Sequence, residues 1–312
     1  MNWNILLTDG FAPISDQNLL SKVDLADQKG ISAEELLTVV DQYDAVIVRS
    51  RTKITEDVLA SGKNLKVVGR MGVGVDNIDL QAAKAHGVTV VNAPVATTVS
   101  VAELTLGLML SLIREIPKAN AGLKAGEWLK KELVGTELYQ KTLGIIGFGN
   151  IAKAVAKRAQ AFEMKVITFG SSHPADEIRS FGAEPVSLEE LLAQSDIITM
   201  HIPHNERSHY MLNAETFALM KDGVYIVCPA RGGVIDESAL LAALESGKIA
   251  GAALDVFEKE PPGAIALLDH PKVIGTPHIG AQTNEAQLRA GYDILSEVVN
   301  ALDEKPLRWK IV

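Results

Sequence analysis

The sequence predicts an α/β protein with two parallel sheets, and three observations lead to that class. Short β-prone runs alternate with helix-like segments, which is the pattern of parallel sheets covered by helices. This alternation occurs in each half of the chain, and a turn with two glycines, Gly147 and Gly149, follows a strand in the second half. A chain of 312 residues is also long enough for two domains, each with its own core.

The composition is that of an ordinary globular protein and argues against several functions. The net charge of −9 argues against nucleic-acid binding, although a local basic pocket for an anion stays compatible with it. The single cysteine, Cys228, excludes an internal disulfide framework and indicates a reducing, cytoplasmic location. No signal peptide is evident, and the most apolar helix candidate, residues 104–113, is too short to cross a bilayer.

The first half of the chain predicts one sheet. Its β-prone runs are residues 5–7, 45–48, 66–68 and 88–91. Residues 285–302 have a helical pattern with one apolar face. We expect this helix to cover the first sheet, because the first half alone lacks enough chain to do so. The predicted domain therefore combines residues 1–97 with residues 282–312.

A long helix is predicted to open the second domain. Ser100 followed by Glu103 is a capping-box signature, which predicts an apolar helix from residue 100 to about residue 116, stopped by Pro117. The strand pattern then recurs at residues 143–146, 166–169, 197–200, 224–227, 251–254 and 273–274. These runs predict a second domain over residues 98–281. A ligand is expected between the domains, at the carboxyl ends of the strands.

The glycine turn predicts a phosphate-binding site within the second domain. A strand, two glycines and a helix N-terminus let the backbone approach an anion, which the helix dipole favours. Ala152 replaces the third glycine of the dinucleotide pattern, and Gly170 stands where an acidic residue normally binds the ribose. On this turn alone, a plain tight turn or a site for another nucleotide-type ligand is an equal alternative.

Three polar clusters follow predicted strands, where α/β sheets place their sites. Glycines in residues 69–77 expose N–H groups suited to a carboxylate, or form a turn into the next helix. Arg231, beside two glycines, offers a planar cation for a carboxylate, although a surface role is its alternative. His278 follows a group of carboxylates in residues 255–260, and a histidine beside a carboxylate suits proton transfer. Only the combination of the three predicts an active site.

With these motifs the chain resembles the D-2-hydroxyacid dehydrogenases and, within them, the branch that acts on 3-phosphoglycerate. The most specific pieces are residues 69–77, 230–233, 251–257, 260–262 and 277–281. The resemblance implies two doubly wound parallel-sheet (Rossmann-like) α/β domains with the active-site cleft between them. It also implies an oxidoreductase that transfers a hydride between a nicotinamide cofactor and a D-2-hydroxy acid or its 2-oxo acid.

The resemblance implies roles for single residues. Arg231 is expected to hold the substrate carboxylate and polarise the carbonyl, His278 to act as the acid–base group, and Glu260 to orient that histidine. Asp255 is expected at the nicotinamide amide. The residues implied for cofactor binding are Gly147, Gly149, Asn150, Ile151, Gly170, Ser171, His201, Pro203, Cys228, Ala230, Asp255 and Gly280. The residues implied for substrate binding are Arg49, Ser50, Arg51, Gly72, Val73 and Gly74.

Departures from the family pattern leave the cofactor and the substrate open. Gly170 lacks the acidic side chain that selects NAD, so either NAD or NADP is expected. Residues 92–97 lack the Gly-Asn pair of phosphoglycerate dehydrogenases, whereas Arg49 and Arg51 would suit a phosphate ester. A solvated charge on a loop is an equal alternative for Arg51. We expect oxidation of 3-phosphoglycerate first, as in serine biosynthesis, and reduction of glyoxylate, hydroxypyruvate or another 2-oxo acid second. A non-catalytic, NAD-sensing binding protein is the alternative from a different class.

The remaining expectations concern partners. The resemblance implies a homodimer formed through the helix of residues 100–116, and no metal ion, nucleic acid or membrane partner is expected. The chain ends soon after its last helix, so no C-terminal regulatory domain is expected.

Overall fold

The computed structural model describes residues 2–11, 14–170 and 173–312, and the chain divides into two compact units. One unit consists of Met1–Thr97 with Ala281–Val312, and the other consists of Thr98–Gly280. In the described residues each unit contains one sheet in which every pair of neighbouring strands is parallel. The predicted class of two parallel α/β sheets is therefore confirmed.

The first unit is built on a five-stranded sheet with the order β2-β1-β3-β4-β5. Its strands are β1 (Trp3–Leu7), β2 (Val23–Asp27), β3 (Ala45–Val48), β4 (Val67–Arg70) and β5 (Thr89–Asn92). Its helices are α1 (Gln17–Leu20), α2 (Ala33–Val39), α3 (Glu56–Ser61), α4 (Leu80–Ala85) and α13 (Asn284–Leu302), with a 3₁₀ turn at Val40–Gln42. Strand β2 was not predicted, because two aspartates interrupt its short apolar pattern.

The helix predicted at residues 285–302 covers this sheet, as expected. Ile294 and Val298 of α13 are fully buried in the same core cluster as residues of β1, β3 and β4. They pack so closely on β4 that a Cβ added to Gly69 would lie 2.6 Å from a methyl of Val298. The close approach of a helix therefore accounts for Gly69, the first glycine of its motif.

The second unit is built on a seven-stranded sheet with the order β12-β11-β10-β9-β6-β7-β8. Its strands are β6 (Thr142–Ile146), β7 (Lys165–Phe169), β8 (Ala183–Pro185), β9 (Ile197–Met200), β10 (Val224–Cys228), β11 (Ile249–Leu254) and β12 (Val273–Gly275). Its helices are α5 (Thr98–Ile113), α6 (Ile116–Lys124), α7 (Asn150–Ala161), α8 (Ala175–Ser180), α9 (Leu188–Gln194), α10 (Ala214–Ala218), α11 (Glu237–Glu245) and α12 (Ala266–Asp269). The short edge strand β8 was not predicted.

The strand order positions a ligand site in this unit. The chain leaves β6 towards β7 on one side, whereas β9 flanks β6 on the other, so the order reverses between β6 and β9. Open α/β sheets bind their ligands at such a reversal, outside the carboxyl ends of the strands. The predicted glycine turn follows β6 and therefore lies at this reversal.

The helix predicted at residues 100–116 differs from the observed one at both ends. Helix α5 begins at Thr98 and ends at Ile113, so Ser100 lies inside its first turn rather than at its cap. The capping-box prediction was wrong because the Ser100 hydroxyl donates to the carbonyl of Gly280 instead. Pro117 does not stop α5, since it lies in the first turn of α6, where its missing N–H costs no hydrogen bond.

Within the described residues, no helix has both the length and the apolar character needed to cross a membrane.

Candidate active site

The glycine turn after β6 packs against the end of β9. Gly147 has φ +92°, and an added Cβ would lie 2.6 Å from the carbonyl oxygen of His201. Its N–H donates to the carbonyl of Phe169, at the end of β7, over 2.7 Å. The left-handed backbone and the lack of space together require glycine at this position.

The N-terminus of α7 fits the pyrophosphate of a dinucleotide. Gly149 precedes the helix without any side-chain cap, and a Cβ added there would meet no atom within 4 Å. Among the described residues no acceptor is found for the N–H groups of Asn150 and Ile151, which lie at the positive end of a twelve-residue helix. Ala152 is fully buried beneath the turn, so a small third residue packs there as predicted.

The turn after β7, where a cofactor ribose is expected, provides fewer groups that could bind a ligand than the turn after β6. Gly170 has φ +80°, and the nearest atom to an added Cβ is the nitrogen of Gly147, at 3.8 Å. The predicted contact Ser171 lies outside the described residues. Beyond it, Glu177 accepts hydrogen bonds from Lys153 at 2.8 Å and from His173 at 3.0 Å. These two bonds hold the pKa of Glu177 below its ordinary value.

Three residues predicted to bind the cofactor, at or just after the ends of β9 and β10, present uncharged groups. Burial lowers the pKa of the His201 imidazole to about 3, so this ring is neutral at physiological pH, and it contacts the Thr199 hydroxyl at 3.0 Å. Pro203 accepts a hydrogen bond from Ser208 through its carbonyl. Burial raises the pKa of the Cys228 thiol to about 11, which excludes a thiolate at neutral pH.

Arg231 follows β10 beside a tightly packed glycine. Its guanidinium donates to the carbonyl of Ala230, which is itself buried, over 2.7 Å. A Cβ added to Gly232 would overlap the carbonyl of Phe257, so the backbones after β10 and β11 touch at this point. Glycine at this position therefore lets the Arg231 turn lie against the segment that leads to Glu260.

His278 and Glu260 form the pair that the sequence predicted. The imidazole Nδ1 lies 2.7 Å from a carboxylate oxygen of Glu260. Burial raises the pKa of Glu260, but the hydrogen bond and charge of His278, the Phe257 N–H and the charge of Arg231 outweigh it and hold that pKa below its ordinary value. The charge of Arg231 thus contributes to the electrostatics of the His278–Glu260 pair.

The exposed side of His278 is open to a reactant. Its side chain is 42% accessible, and the Nε2 atom makes no hydrogen bond within the described residues. The residue has φ +51°, a conformation that side-chain-bearing residues rarely adopt and that functional sites often contain. The imidazole is therefore held at Nδ1 and available at Nε2.

Asp255, expected at the nicotinamide amide, is fully buried and holds the loop that carries His278. Its carboxylate accepts hydrogen bonds from the Thr276 hydroxyl at 2.6 Å and from the N–H groups of Ile279 and Gly280 at 2.8 Å each. Ser100 and Thr276 were not among the predicted site residues. Only the position of Thr276 beside a strand end signalled such a role.

The predicted substrate residues all lie in the first unit, and its two arginines differ. Arg51 is committed to its own unit, since its guanidinium pairs with Asp9 at 2.9 Å and donates to the carbonyls of Thr8 and Ile31. The Arg49 guanidinium makes no hydrogen bond within the described residues, and burial lowers its pKa despite the charge of Asp9. Arg49 is therefore the better placed of the two for an anionic ligand.

The glycine motif after β4 exposes two N–H groups. The Gly72 N–H donates to the carbonyl of Arg70, and an added Cβ at Gly72 would overlap the Arg70 side chain. In the described part of the chain, the N–H groups of Val73 and Gly74 donate to nothing. Two of the three predicted donors are thus available, and the exposed Ser50 hydroxyl lies in the same unit.

The strand order and the open helix N-terminus define the class, which is a dinucleotide-binding α/β protein. Residues 106–280 match the family model described as "D-isomer specific 2-hydroxyacid dehydrogenase, NAD binding domain". The chain belongs to the D-isomer specific 2-hydroxyacid dehydrogenase family, and the nicotinamide cofactor predicted for it is supported.

Individual members of this family with named activities are similar to the chain over most of its length. The chain is 50% identical over 274 residues to D-3-phosphoglycerate dehydrogenase of Methanocaldococcus jannaschii, covering 88% of this chain and 52% of that protein. It is 44% identical to hydroxypyruvate reductase of Thermotoga maritima, over 96% of this chain and 98% of that protein. The chain thus spans about half the length of the D-3-phosphoglycerate dehydrogenases that it matches, but nearly all of the reductase.

Solved structures show the same architecture. A glyoxylate reductase from Paecilomyes thermophila superposes with a TM-score of 0.90 at 32% identity, covering 99% of this chain and 98% of that one. The TT0316 protein from Thermus thermophilus superposes with a TM-score of 0.91 at 32% identity, over 99% and 100% of the two chains.

Proposed function

We propose that this protein is a nicotinamide-dependent dehydrogenase that interconverts a D-2-hydroxy acid and its 2-oxo acid. The observation that carries the proposal is the His278–Glu260 pair, bonded at Nδ1 and open at Nε2, with the Arg231 charge beside it. The non-catalytic alternative needs none of these three side chains.

The acid–base role of His278 follows from its hydrogen bond. The lowered pKa of Glu260 keeps this carboxylate ionised and therefore an acceptor, so Nδ1 carries the proton and Nε2 of the neutral ring is free to accept one. In oxidation Nε2 takes the proton of the substrate hydroxyl, and in reduction the imidazolium returns it to the carbonyl oxygen. When bound, the nicotinamide accepts or supplies the hydride at C2.

Arg231 is proposed to bind the substrate carboxylate and to polarise the neighbouring carbonyl, because a guanidinium pairs with a carboxylate through two parallel hydrogen bonds. In the first unit, the N–H groups of Val73 and Gly74 are proposed as donors to the carboxylate of a substrate. Arg49 is proposed to bind a second anionic group, because its partly buried guanidinium has no hydrogen-bond partner among the described residues.

The first candidate substrate is 3-phosphoglycerate, with 3-phosphohydroxypyruvate as its product. The names of several relatives and the Arg49 charge support this choice. Hydroxypyruvate or glyoxylate is the second candidate. It is favoured by the full-length match to a hydroxypyruvate reductase and by the internal pairing of Arg51, which leaves one arginine fewer for a phosphate.

NAD is the first candidate cofactor, because the matching family model is that of an NAD binding domain. NADP is the second, because Gly170 provides no carboxylate to repel a 2′-phosphate. The residues proposed to hold the dinucleotide are Gly147, Gly149, Asn150, Ile151, Gly170, His201, Pro203, Cys228, Ala230, Asp255 and Gly280, with Ser171 kept as a prediction.

We also propose a cytoplasmic homodimer, but with a contact surface that differs from the predicted helix. The apolar residues Leu106, Met109 and Leu112 of α5 are buried within their own unit. The most exposed large apolar side chains follow α5, with Trp128 77% and Val134 81% accessible. A second copy of the chain would cover them, and sedimentation of Trp128→Ser beside the unmodified protein tests this contact.

The function is tested by assaying the purified protein with 3-phosphohydroxypyruvate, hydroxypyruvate and glyoxylate, each with NADH and with NADPH. The proposal expects oxidation of at least one cofactor by at least one of these acids. The kcat/KM values rank the two substrate candidates and the two cofactors. Cofactor binding without turnover of any 2-oxo acid would instead support the binding-protein alternative.

A further inference from the structure

The loop that carries His278, residues 276–280, is held by two buried side chains from other elements. The Asp255 carboxylate, fully buried after β11, binds the Thr276 hydroxyl and the N–H groups of Ile279 and Gly280. Three of the roughly four lone-pair positions of a carboxylate are thus used inside this unit. The carboxylate therefore forms hydrogen bonds with the loop on both sides of His278.

Ser100 is the second buried residue that fixes this loop. This residue is 4% accessible in the first turn of α5, and its hydroxyl donates to the carbonyl of Gly280 over 2.6 Å. Both backbone polar groups of Gly280 are therefore bound by buried side chains. A Cβ added to Gly280 would lie 3.1 Å from Asp255 and 3.3 Å from Val101, so the backbone at this point is enclosed.

The hydrogen bonds of Asp255 and Ser100 explain how His278 maintains an unfavourable, positive backbone φ angle. With φ at +51°, the backbone of this residue is strained, and such a conformation persists only where its surroundings fix it. If Gly280 were released, the loop could relax towards negative φ, and the imidazole would turn away from Glu260. The placement of Nδ1 at 2.7 Å from Glu260 thus depends on residues that touch neither ring nor reactant.

We propose that Ser100, together with Asp255, is a positioning residue that sets the orientation of His278 through the Gly280 peptide. This inference rests on the proposed function, because it takes His278 as the acid–base group. It gives the buried Asp255 carboxylate a task besides the expected contact with the nicotinamide amide. It also explains why a serine in the first turn of a helix directs its hydroxyl to a distant carbonyl rather than to the helix.

The test compares two buried hydroxyls on the same helix. Ser100→Ala removes the bond to Gly280, whereas Thr105→Val removes a hydroxyl that bonds only to the Val101 carbonyl within α5. We expect Ser100→Ala to lower kcat roughly tenfold, since small displacements of a catalytic group cost up to about 100-fold. Cofactor Kd, from nucleotide fluorescence, should change less than about twofold. Thr105→Val should keep the kcat of the unmodified protein.

A second pair of variants covers the case in which Ser100→Ala does not fold. Thr276→Val removes the hydroxyl that binds Asp255, and Thr276→Ser retains it. Thr276→Val should lose kcat in the same way, and Thr276→Ser should recover most of that loss. A kcat within twofold of the unmodified protein for either hydroxyl-deleted variant would overturn the positioning role.

A measurement without turnover separates this inference from the proposed function. The ¹⁵N resonances of the His278 imidazole in the cofactor-free protein report the Nδ1–H bond to Glu260. Ser100→Ala should shift them, and Thr105→Val should not; unchanged resonances in Ser100→Ala would contradict the inference. If the unmodified protein reduces no 2-oxo acid, the proposed function fails, and these resonances still decide whether Ser100 orients His278.

Discussion

Two segments at the carboxyl ends of the seven-stranded sheet are held in very different ways. The loop of residues 276–280, after β12, is fixed by Asp255, Ser100 and Glu260 through five hydrogen bonds from or to these side chains. Gly170, after β7, has open space around its Cβ position and no side chain to bind a ribose. The conformation of the loop that carries His278 is thus fixed by side chains of this chain, whereas no side chain at Gly170 is present to fix a ribose.

Because the two segments differ in this way, we expect the His278 loop to determine the rate of proton transfer and Gly170 to affect the choice between NAD and NADP. The acid–base pair itself is partly exposed, but the loop that carries His278 is fixed by the buried side chains of Asp255 and Ser100, so its geometry is preorganised. The ribose end depends on a residue with no functional group, and two basic side chains near it in sequence, Lys153 and His173, both bond to Glu177. Substitutions at the first end should therefore change turnover, and substitutions at the second should change selectivity.

The largest expected effect is at the acid–base group. His278→Ala should lower turnover by more than roughly 100-fold, because it removes the proton acceptor, while the cofactor Kd stays similar. The matched control is His86→Ala, since His86 also contacts a carboxylate, Glu56, at 2.8 Å, but in the first unit. Near-normal turnover of His278→Ala in steady-state assays would refute the role.

Glu260→Gln should have a smaller effect on the same pair. The amide oxygen can still accept from Nδ1, but it carries no charge to stabilise the imidazolium, so kcat should fall roughly tenfold, or about 1.4 kcal/mol. Glu56→Gln, at the exposed pair with His86, should leave kcat unchanged. Equal kcat values for Glu260→Gln and the unmodified protein would mean that the charge of Glu260 has no part in catalysis.

At the other segment, Gly170→Asp should change selectivity rather than rate. An added carboxylate can bind the ribose hydroxyls and repel a 2′-phosphate, so the NADH/NADPH ratio of kcat/KM should rise roughly tenfold. The φ of +80° makes this change cost about 1 kcal/mol of stability. Gly247→Asp, at φ +77° with open space, imposes the same strain and should leave the ratio unchanged. An unaltered ratio in Gly170→Asp would place the ribose elsewhere.

The smallest expected effect lies at the amino end of β9, away from both segments. Asp196 accepts from the Thr142 N–H at 2.8 Å and from Lys221 at 2.9 Å, and these bonds outweigh burial and lower its pKa. Asp196→Asn should cost about 1 kcal/mol of unfolding free energy at pH 7, with turnover intact.

The pH dependence of this cost has a definite sign. Because the folded pKa of Asp196 is depressed, its stabilisation is complete above the unfolded pKa of about 3.9 and is lost as pH falls below it. Urea unfolding at pH 7 and near pH 3.5 should show the gap to Asp196→Asn closing at the lower pH. A gap that widens on acidification would contradict the assignment.

The sequence predicted the parts of this structure that repeat a local pattern. The parallel sheets and the glycine turn follow from strand periodicity and from residue types at strand ends, whereas the pairing of His278 with Glu260 was implied by the resemblance to the family. Strands β2 and β8 were not predicted, because β2 is interrupted by aspartates and β8 has only three residues.

Long-range side-chain bonds could not be predicted in this way. Ser100 matched a local capping signature, yet its hydroxyl binds a carbonyl 180 positions away, a choice that only the folded chain determines. Arg49 and Arg51 were both predicted to bind substrate, with a solvated charge as the alternative for Arg51. The difference between them arises from Asp9 and two carbonyls of the folded first unit, which bind Arg51. Tertiary contacts of this kind leave no periodic signal.

The proposed activity, hydride transfer to a 2-oxo acid with the stereochemistry that the family name describes, is tested most directly through its product. Hydroxypyruvate is reduced by the reduced cofactor, and the configuration of the product is read by chiral chromatography. We expect D-glycerate alone, formed in step with cofactor oxidation and lost in His278→Ala. Formation of L-glycerate or of a racemate would contradict the proposed activity.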